Sequence, residues 1–372
     1  MKHQIIDLCS GCGGFSLGAE KAGFQVKISV DVDKTLHSSF NLNFPSANTL
    51  NADIGSFTKA RWNSITNGER PTGVIGGPPC QGFSRIGKRE IGDPRNAVVG
   101  MFFKNINILK PKFFVMENVE GILDERNRKI LFDSIESVSK KYIIVGPLVV
   151  NARDYGAATN RKRVIVIGID PNEMDLINEN EIINTSTLKY CSVSDAISDL
   201  PSPTFSNETI NNFRWSKYHR NYTALSKYVK KINLLPNTSL GWDFALSQIS
   251  NGYISGNSAT KHTKEVVQRF KYVAPGKSDT VSRFPRLEWN GQCPALRAGT
   301  GKEKGSFQSM RPIHPSEPRV ITVREAARLQ GFPDWFVFHN TIWHSFRMIG
   351  NSVSPLMAEN ILRIIYKKLS IN

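Results

Sequence analysis

In Gly76-Gly77-Pro78-Pro79-Cys80-Gln81-Gly82-Phe83-Ser84 a single cysteine stands on a corner made by glycines and two prolines. Val74-Ile75 reads as the end of a buried strand. The glycines permit a tight exit and the prolines fix φ, so the next side chain is held in one direction. A nucleophilic thiolate needs such a mount; the competing reading is a cysteine buried only to fill space. A second constellation, Asp7-Leu8-Cys9-Ser10-Gly11-Cys12-Gly13-Gly14-Phe15-Ser16-Leu17-Gly18, follows an apolar strand and opens a helix. Glycine lets a ligand approach the backbone there, and Asp31, ending the next strand, stands where an acid takes ribose hydroxyls. Alone, this turn suits a nicotinamide or flavin enzyme equally. It lacks strict GxGxxG spacing, however, and hydride transfer gives no use for Cys80. The five cysteines, at 9, 12, 80, 191 and 293, supply neither a disulfide framework nor a four-ligand zinc spacing, so no metal is expected.

Such groups need a sheet to hold them. Residues 4–170 repeat a short apolar strand, a turn and an amphipathic helix, the pattern of a parallel sheet with crossover helices. Strands are predicted at Gln4-Leu8, Val26-Val30, Gly73-Ile75, Phe113-Met116, Ile143-Leu148 and Arg163-Gly168, with helices at 15–22, 33–42, 97–109 and 127–140. The fold class is α/β, doubly wound. From about residue 172 the alternation fades into sequence rich in Asn, Ser, Thr and Pro. Regular structure resumes with helices at 323–330 and about 355–369, and no internal repeat is present.

Pro78-Pro79-Cys80-Gln81 resembles the catalytic motif of the DNA (cytosine-5) methyltransferases of bacterial restriction–modification type. Further ordered matches are Glu117-Asn118-Val119, the run ending in Arg163, Arg319 to Asp334, and Ile349-Gly350-Asn351-Ser352-Val353-Ser354-Pro355. The resemblance covers residues 4–170 and 319–369. It implies a Rossmann-like sheet dependent on S-adenosylmethionine, formed by residues 1–172 and 346–372, with a smaller target recognition domain at 173–345. The cofactor residues it implies are Asp7, Cys9, Gly11, Gly13, Gly14, Phe15, Asp31, Val32, Asp53, Ile54, Pro78, Asn351, Ser352 and Val353. Asp31 suits ribose, and Asp53 could accept from the adenine amino group. The chain departs from the family at Cys9-Ser10, where many members carry Phe-Ala, and at Ala158-Thr159, usually Pro-Gln.

The chemistry explains the residue types. Cytosine C5 is a poor nucleophile until a thiolate, here that of Cys80, adds at C6 and leaves electron density at C5 as an enamine. Glu117, at the end of an apolar strand, is the acid expected to protonate N3; an enclosed carboxyl can hold a proton near neutrality. The resemblance assigns Arg163 to the cytosine O2 side, with Arg161 supporting the same site. A salt-bridged or capping glutamate and a phosphate-holding strand end are the competing readings.

A duplex base reaches such a pocket only by rotating out of the stack. Gln81, Ser84 and Arg95 lie on a glycine-rich segment resembling the family's mobile DNA-closing loop. Forty-eight Lys and Arg against 32 Asp and Glu give a net charge of +16, which suits a polyanion. Residues 204–315 hold 17 of the basic and 6 of the acidic residues, with 14 aromatics interleaved. Arg297 and Arg311 are candidates to read guanine edges or to hold phosphates. Double-stranded DNA is the expected partner, with a cognate restriction endonuclease acting on the same site. An RNA substrate and a regulator that only binds nucleic acid are the rivals; binding alone needs none of Cys80, Glu117 and Arg163. No run of about eighteen apolar residues occurs and no signal-peptide region precedes the first strand, so the expectation is a monomer in the bacterial cytosol.

Overall fold

The computed structural model describes residues 3–79, 97–183, 190–205, 209–218, 221–236, 240–298 and 310–369. In chain order the first half runs β1 (Gln4–Leu8), α1 (Gly14–Ala22), β2 (Gln25–Asp31), α2 (Lys34–Asn43), β3 (Asn48–Asn51), α3 (Lys59–Thr66) and β4 (Gly73–Gly76). It continues with α4 (Ala97–Leu109), β5 (Phe113–Asn118), α5 (Glu125–Ser139), β6 (Ile143–Asn151), β7 (Thr159–Asn160) and β8 (Lys162–Ile169). Among the described residues the principal sheet has seven strands in the order β3-β2-β1-β4-β5-β8-β6. Strand order therefore reverses between β1 and β4, the switch point at which a doubly wound sheet opens a crevice for a ligand. The pleat sends alternate side chains to opposite faces. Phe113, Val115, Ile165 and Ile167 join one core cluster, whereas Phe114, Met116, Val164 and Val166 join the other.

One expectation is corrected. The sheet is mixed, because β8 runs antiparallel to both β5 and β6. A parallel strand needs a crossover of about a dozen residues or more, usually a helix, and only the short stretch from Ala152 to Arg161 joins β6 to β8. The sequence reading also passed over β3 and α3. Asn48-Thr49-Leu50-Asn51 is a polar edge strand without apolar alternation, and α3 buries little beyond Trp62.

Beyond β8 the elements are short: α6 (Glu179–Ile183), α7 (Val193–Ile197), β9 (Trp215–Lys217), α8 (Lys227–Ile232), α9 (Asp243–Ser250), β10 (Tyr253–Ser255), α10 (Lys264–Lys271) and β11 (Cys293–Pro294). They lead to α11 (Val323–Leu329), α12 (Ile342–Asn351) and α13 (Pro355–Leu369). Strand β11 pairs parallel with β7, which fastens the approach to Arg297 onto the connection between β6 and β8. Helix α11 is wholly buried and carries two guanidinium groups that must be matched, since an unpaired buried charge is costly. Arg328 forks onto Asp334 at 2.8 Å through both Nε and Nη2 and reaches Asp199 at 2.7 Å. Arg324 donates to the carbonyls of Ser255, Pro333 and Phe336. The buried guanidinium groups of α11 thus tie it to the segments around Asp199, Ser255 and Asp334. Helix α13 then returns along α1, where a Cβ added at Gly18 would lie 2.4 Å from that of Ala358.

Candidate active site

Strand register brings the candidate groups to one edge of the sheet. Leu8 is level with Val30 and Gly76, Gly76 with Met116, Asp31 with Asn51, and Asn118 with Val164. The glycine-rich turn, Asp31, Asp53, Pro78 and Glu117 therefore follow the carboxyl ends of β1 to β5. Antiparallel β8 brings Arg163 to the same edge by its start.

The turn after β1 is shaped by backbone and by contacts from the far end of the chain. Cys9 takes a left-handed φ of 61°, which lets Cys9 and Ser10 both donate to the Val30 carbonyl. A Cβ on Gly14 would sit 1.9 Å from Ser352 Oγ and 2.4 Å from the Val353 carbonyl, so only glycine permits that approach. Phe15 and Ile54 are buried. Asp31 accepts from Gly11 N and Asp33 N, each at 2.8 Å, yet burial still raises its pKa. Asp7 has no exposed surface and takes the Ser16 hydroxyl at 2.6 Å; burial pushes its pKa up to about 8. Burial also raises the thiol of Cys9 and pushes that of Cys12 up to about 12, so both remain protonated. Among the described residues no cluster of His, Cys, Asp or Glu could hold a metal.

The turn has the features that a nucleoside-bearing methyl donor would need. Asp7 Oδ1 and Ser10 Oγ are buried without a hydrogen-bond partner, a Cβ at Gly11 would meet nothing within 4 Å, and Val32 is 70% exposed. Asp53 is exposed, with Oδ1 already capping a turn through Gly55 N at 2.8 Å. Orphaned polar atoms beside open space suit a polar ligand with an apolar face, and the residues fit.

At the chemical end Glu117 is 7% exposed and Arg163 Nε stands 2.7 Å from its Oε1. The guanidinium approaches off the hydrogen-bond axis, leaving Oε1 without a well-aligned donor, so the two form an ion pair at a shared site. Asn118, quoted in the motif but given no role, donates from Nδ2 to the Pro78 carbonyl at 3.2 Å and anchors the corner that leads to residue 80. Cys80, Gln81, Ser84 and Arg95 lie outside the described residues. The Nη donors of Arg161 go to backbone rather than to Glu117, and its Nε is buried without a hydrogen-bond partner. Arg161 is 1% exposed and spends Nη1 on the Leu296 carbonyl and Nη2 on those of Gly350 and Ser352, each at 2.9 Å. Grouped by sequence with the catalytic residues, it holds the backbone at Leu296, Gly350 and Ser352. Arg297 is exposed, whereas Arg311 is half-buried with its Cζ 4.9 Å from the Phe346 ring. Asn351 is exposed, and Ser352 and Val353 are packed against the turn.

A glycine-rich turn and an acid at the switch point of a doubly wound sheet, beside an acid–arginine pair, are the frame of a Rossmann-like enzyme that binds a nucleoside-bearing ligand. The profile of the C-5 cytosine-specific DNA methylases matches residues 3–367. The chain belongs to that family and is a DNA (cytosine-5) methyltransferase. It is 40% identical to the Type II methyltransferase M.XorII of Xanthomonas oryzae pv. oryzae over 98% of this chain and 84% of that protein. It is 31% identical to M.NgoPII of Neisseria gonorrhoeae over 98% and 96% of the two chains. An E. coli prophage protein described as a DNA modification methyltransferase superposes with a TM-score of 0.87 at 38% identity, covering 98% of this chain and 99% of that one. The S. pombe Dnmt2 methyltransferase shares the fold, with a TM-score of 0.61 at 12% identity over the full length of both chains. Among the described residues no helix is long and apolar enough to cross a membrane.

Proposed function

We propose that this protein methylates C5 of a cytosine rotated out of a specific duplex DNA sequence, through a Cys80 adduct at C6, as the modification enzyme of a Type II restriction–modification system. The observation that carries the reading is the Glu117–Arg163 pair at the sheet edge, beside the Pro78 carbonyl held by Asn118. A kinship with Type II methyltransferases supports the protective role.

The Cys80 sulfur forms a bond to C6 while Glu117, ionised against Arg163 in the free protein and so having first to take up a proton from water as the base enters, gives that proton to N3, and the ring carries an enamine rather than a negative charge. Arg163, paired with Glu117, would hold the O2 side of the same ring. S-adenosylmethionine would supply the electrophilic methyl that C5 takes. Loss of the C5 proton, rupture of the C6–S bond and return of the N3 proton then restore aromaticity and free the thiolate. Asp31 would accept the ribose hydroxyls, Asp53 the adenine amino group, and Val32, Phe15 and Ile54 would supply apolar surface. Arg161 is a positioning residue, since its three carbonyl contacts hold backbone. Residues 173–345 form the target-recognition unit in this reading, and residues 1–172 and 346–372 the catalytic unit.

The test is base-resolution sequencing of plasmid DNA from bacteria expressing the wild-type chain or Cys80→Ala. Five-methylcytosine at one short motif, absent with the variant, is the expected result. Unmodified DNA in both strains would sink the proposal.

A further inference from the structure

The turn that carries Asp31 has a second acid, Asp33, whose two carboxylate oxygens are used in different directions. Oδ1 caps α2, accepting from Thr35 N at 3.0 Å and Leu36 N at 3.2 Å. Oδ2 pairs with Arg347 Nη2, from a residue 314 positions away on α12. The Asp33 backbone N–H, in turn, donates to Asp31 Oδ1. Arg347 stands one helical turn before Asn351, and Trp343, one turn earlier, places its ring 5.9 Å from the Arg347 guanidinium. Both partners keep about a quarter of their side-chain surface exposed, so the pair is neither buried core nor a free surface contact.

We propose that Arg347 is a positioning residue for the methyl donor: through Asp33 it locks the Asp31 turn onto the helix that delivers Asn351, Ser352 and Val353. The proposal rests on the donor site described above and goes beyond it, because the described contacts of Arg347 are with Asp33 and Trp343 and with none of the residues assigned to the donor. Two halves of one pocket come from opposite ends of the sequence. Arg161 ties the 350–352 backbone to that of Leu296, Gly14 packs against Ser352 and Val353, and Cys12 Sγ donates to the Met348 carbonyl, whereas Arg347 joins α12 to Asp33, whose N–H donates to Asp31. Its charge also offsets the repulsion of Asp33 on buried Asp31. Because Oδ1 continues to cap α2, removing Arg347 leaves the helix end intact.

The test is calorimetric binding of S-adenosylhomocysteine to DNA-free protein, together with steady-state kinetics and ligand-free melting. Arg347→Gln is expected to weaken binding and raise the donor KM about fivefold, the upper range for a partly exposed pair, with kcat at saturating donor and the melting point held. Arg347→Lys should recover part of the loss. Asp33→Asn should match it, and the double variant should lose no more than either single one. Unchanged binding by Arg347→Gln alongside normal wild-type binding would overturn the clamp alone. Failure of the wild type itself to bind would overturn the donor reading and the clamp with it.

Discussion

Asp7 illustrates how a single residue can set the pH range of the fold. Its carboxyl ionises near 4 in an unfolded chain and at about 8 here, because burial penalises the charge. Between those values the folded state holds a proton that the unfolded state has released, so this group's stabilising contribution falls as pH rises from about 4 to about 8. Asp7→Asn keeps an oxygen for the Ser16 hydroxyl and removes the titration. Urea midpoints at pH 5 and pH 8 should show the variant gaining on the wild type at the higher pH; an equal difference at both would refute the assignment. Residue types near a local pattern were legible in the sequence: Asp31 and Glu117 end apolar strands, and Arg163 begins one. Arg347 was not, because its partner is 314 positions distant and no local spacing encodes such a pair. The carbonyl partners of Arg161 were hidden for the same reason.

Elements were legible where periodicity was strong. Strands β1, β2, β4 and β5 and helices α1, α2 and α4 stand within a few residues of expectation, since each buries a regular apolar face. The antiparallel β8 escaped because direction is set by the length of a connection rather than by the strand's own residues. Gly14 gives an element-scale prediction. Replacing it with alanine drives a methyl into Ser352 Oγ and the Val353 carbonyl, so either the start of α1 or the 352–353 segment must move. Gly14→Ala should cost about 1–3 kcal/mol in chemical denaturation, the usual range for overpacking, and weaken S-adenosylhomocysteine binding with it. Wild-type stability and affinity in that variant would show that the close approach is dispensable.

At the scale of the molecule, charge and packing divide the labour. The net charge of +16 is concentrated between residues 204 and 315, while the buried guanidinium groups of Arg324 and Arg328 are consumed in holding α11. Exposed Arg297 belongs to the first group and half-buried Arg311, stacked on Phe346, stands between them. DNA affinity should fall at least about a hundredfold between 50 and 200 mM salt, as several neutralised phosphates require, and Arg297→Ala should lower the log–log slope by about one. Fluorescence anisotropy over a salt series measures both; a flat series would argue against phosphate contacts. The packing of α13 along α1 has a further consequence, for biosynthesis. The proposed donor pocket, drawn from residues 7–54 and 351–353, cannot be complete until the last of these segments has been synthesised. Helix α13 closes over α1 last in synthesis, so a protein shortened before residue 355 is expected to bind no S-adenosylhomocysteine, which calorimetry would check.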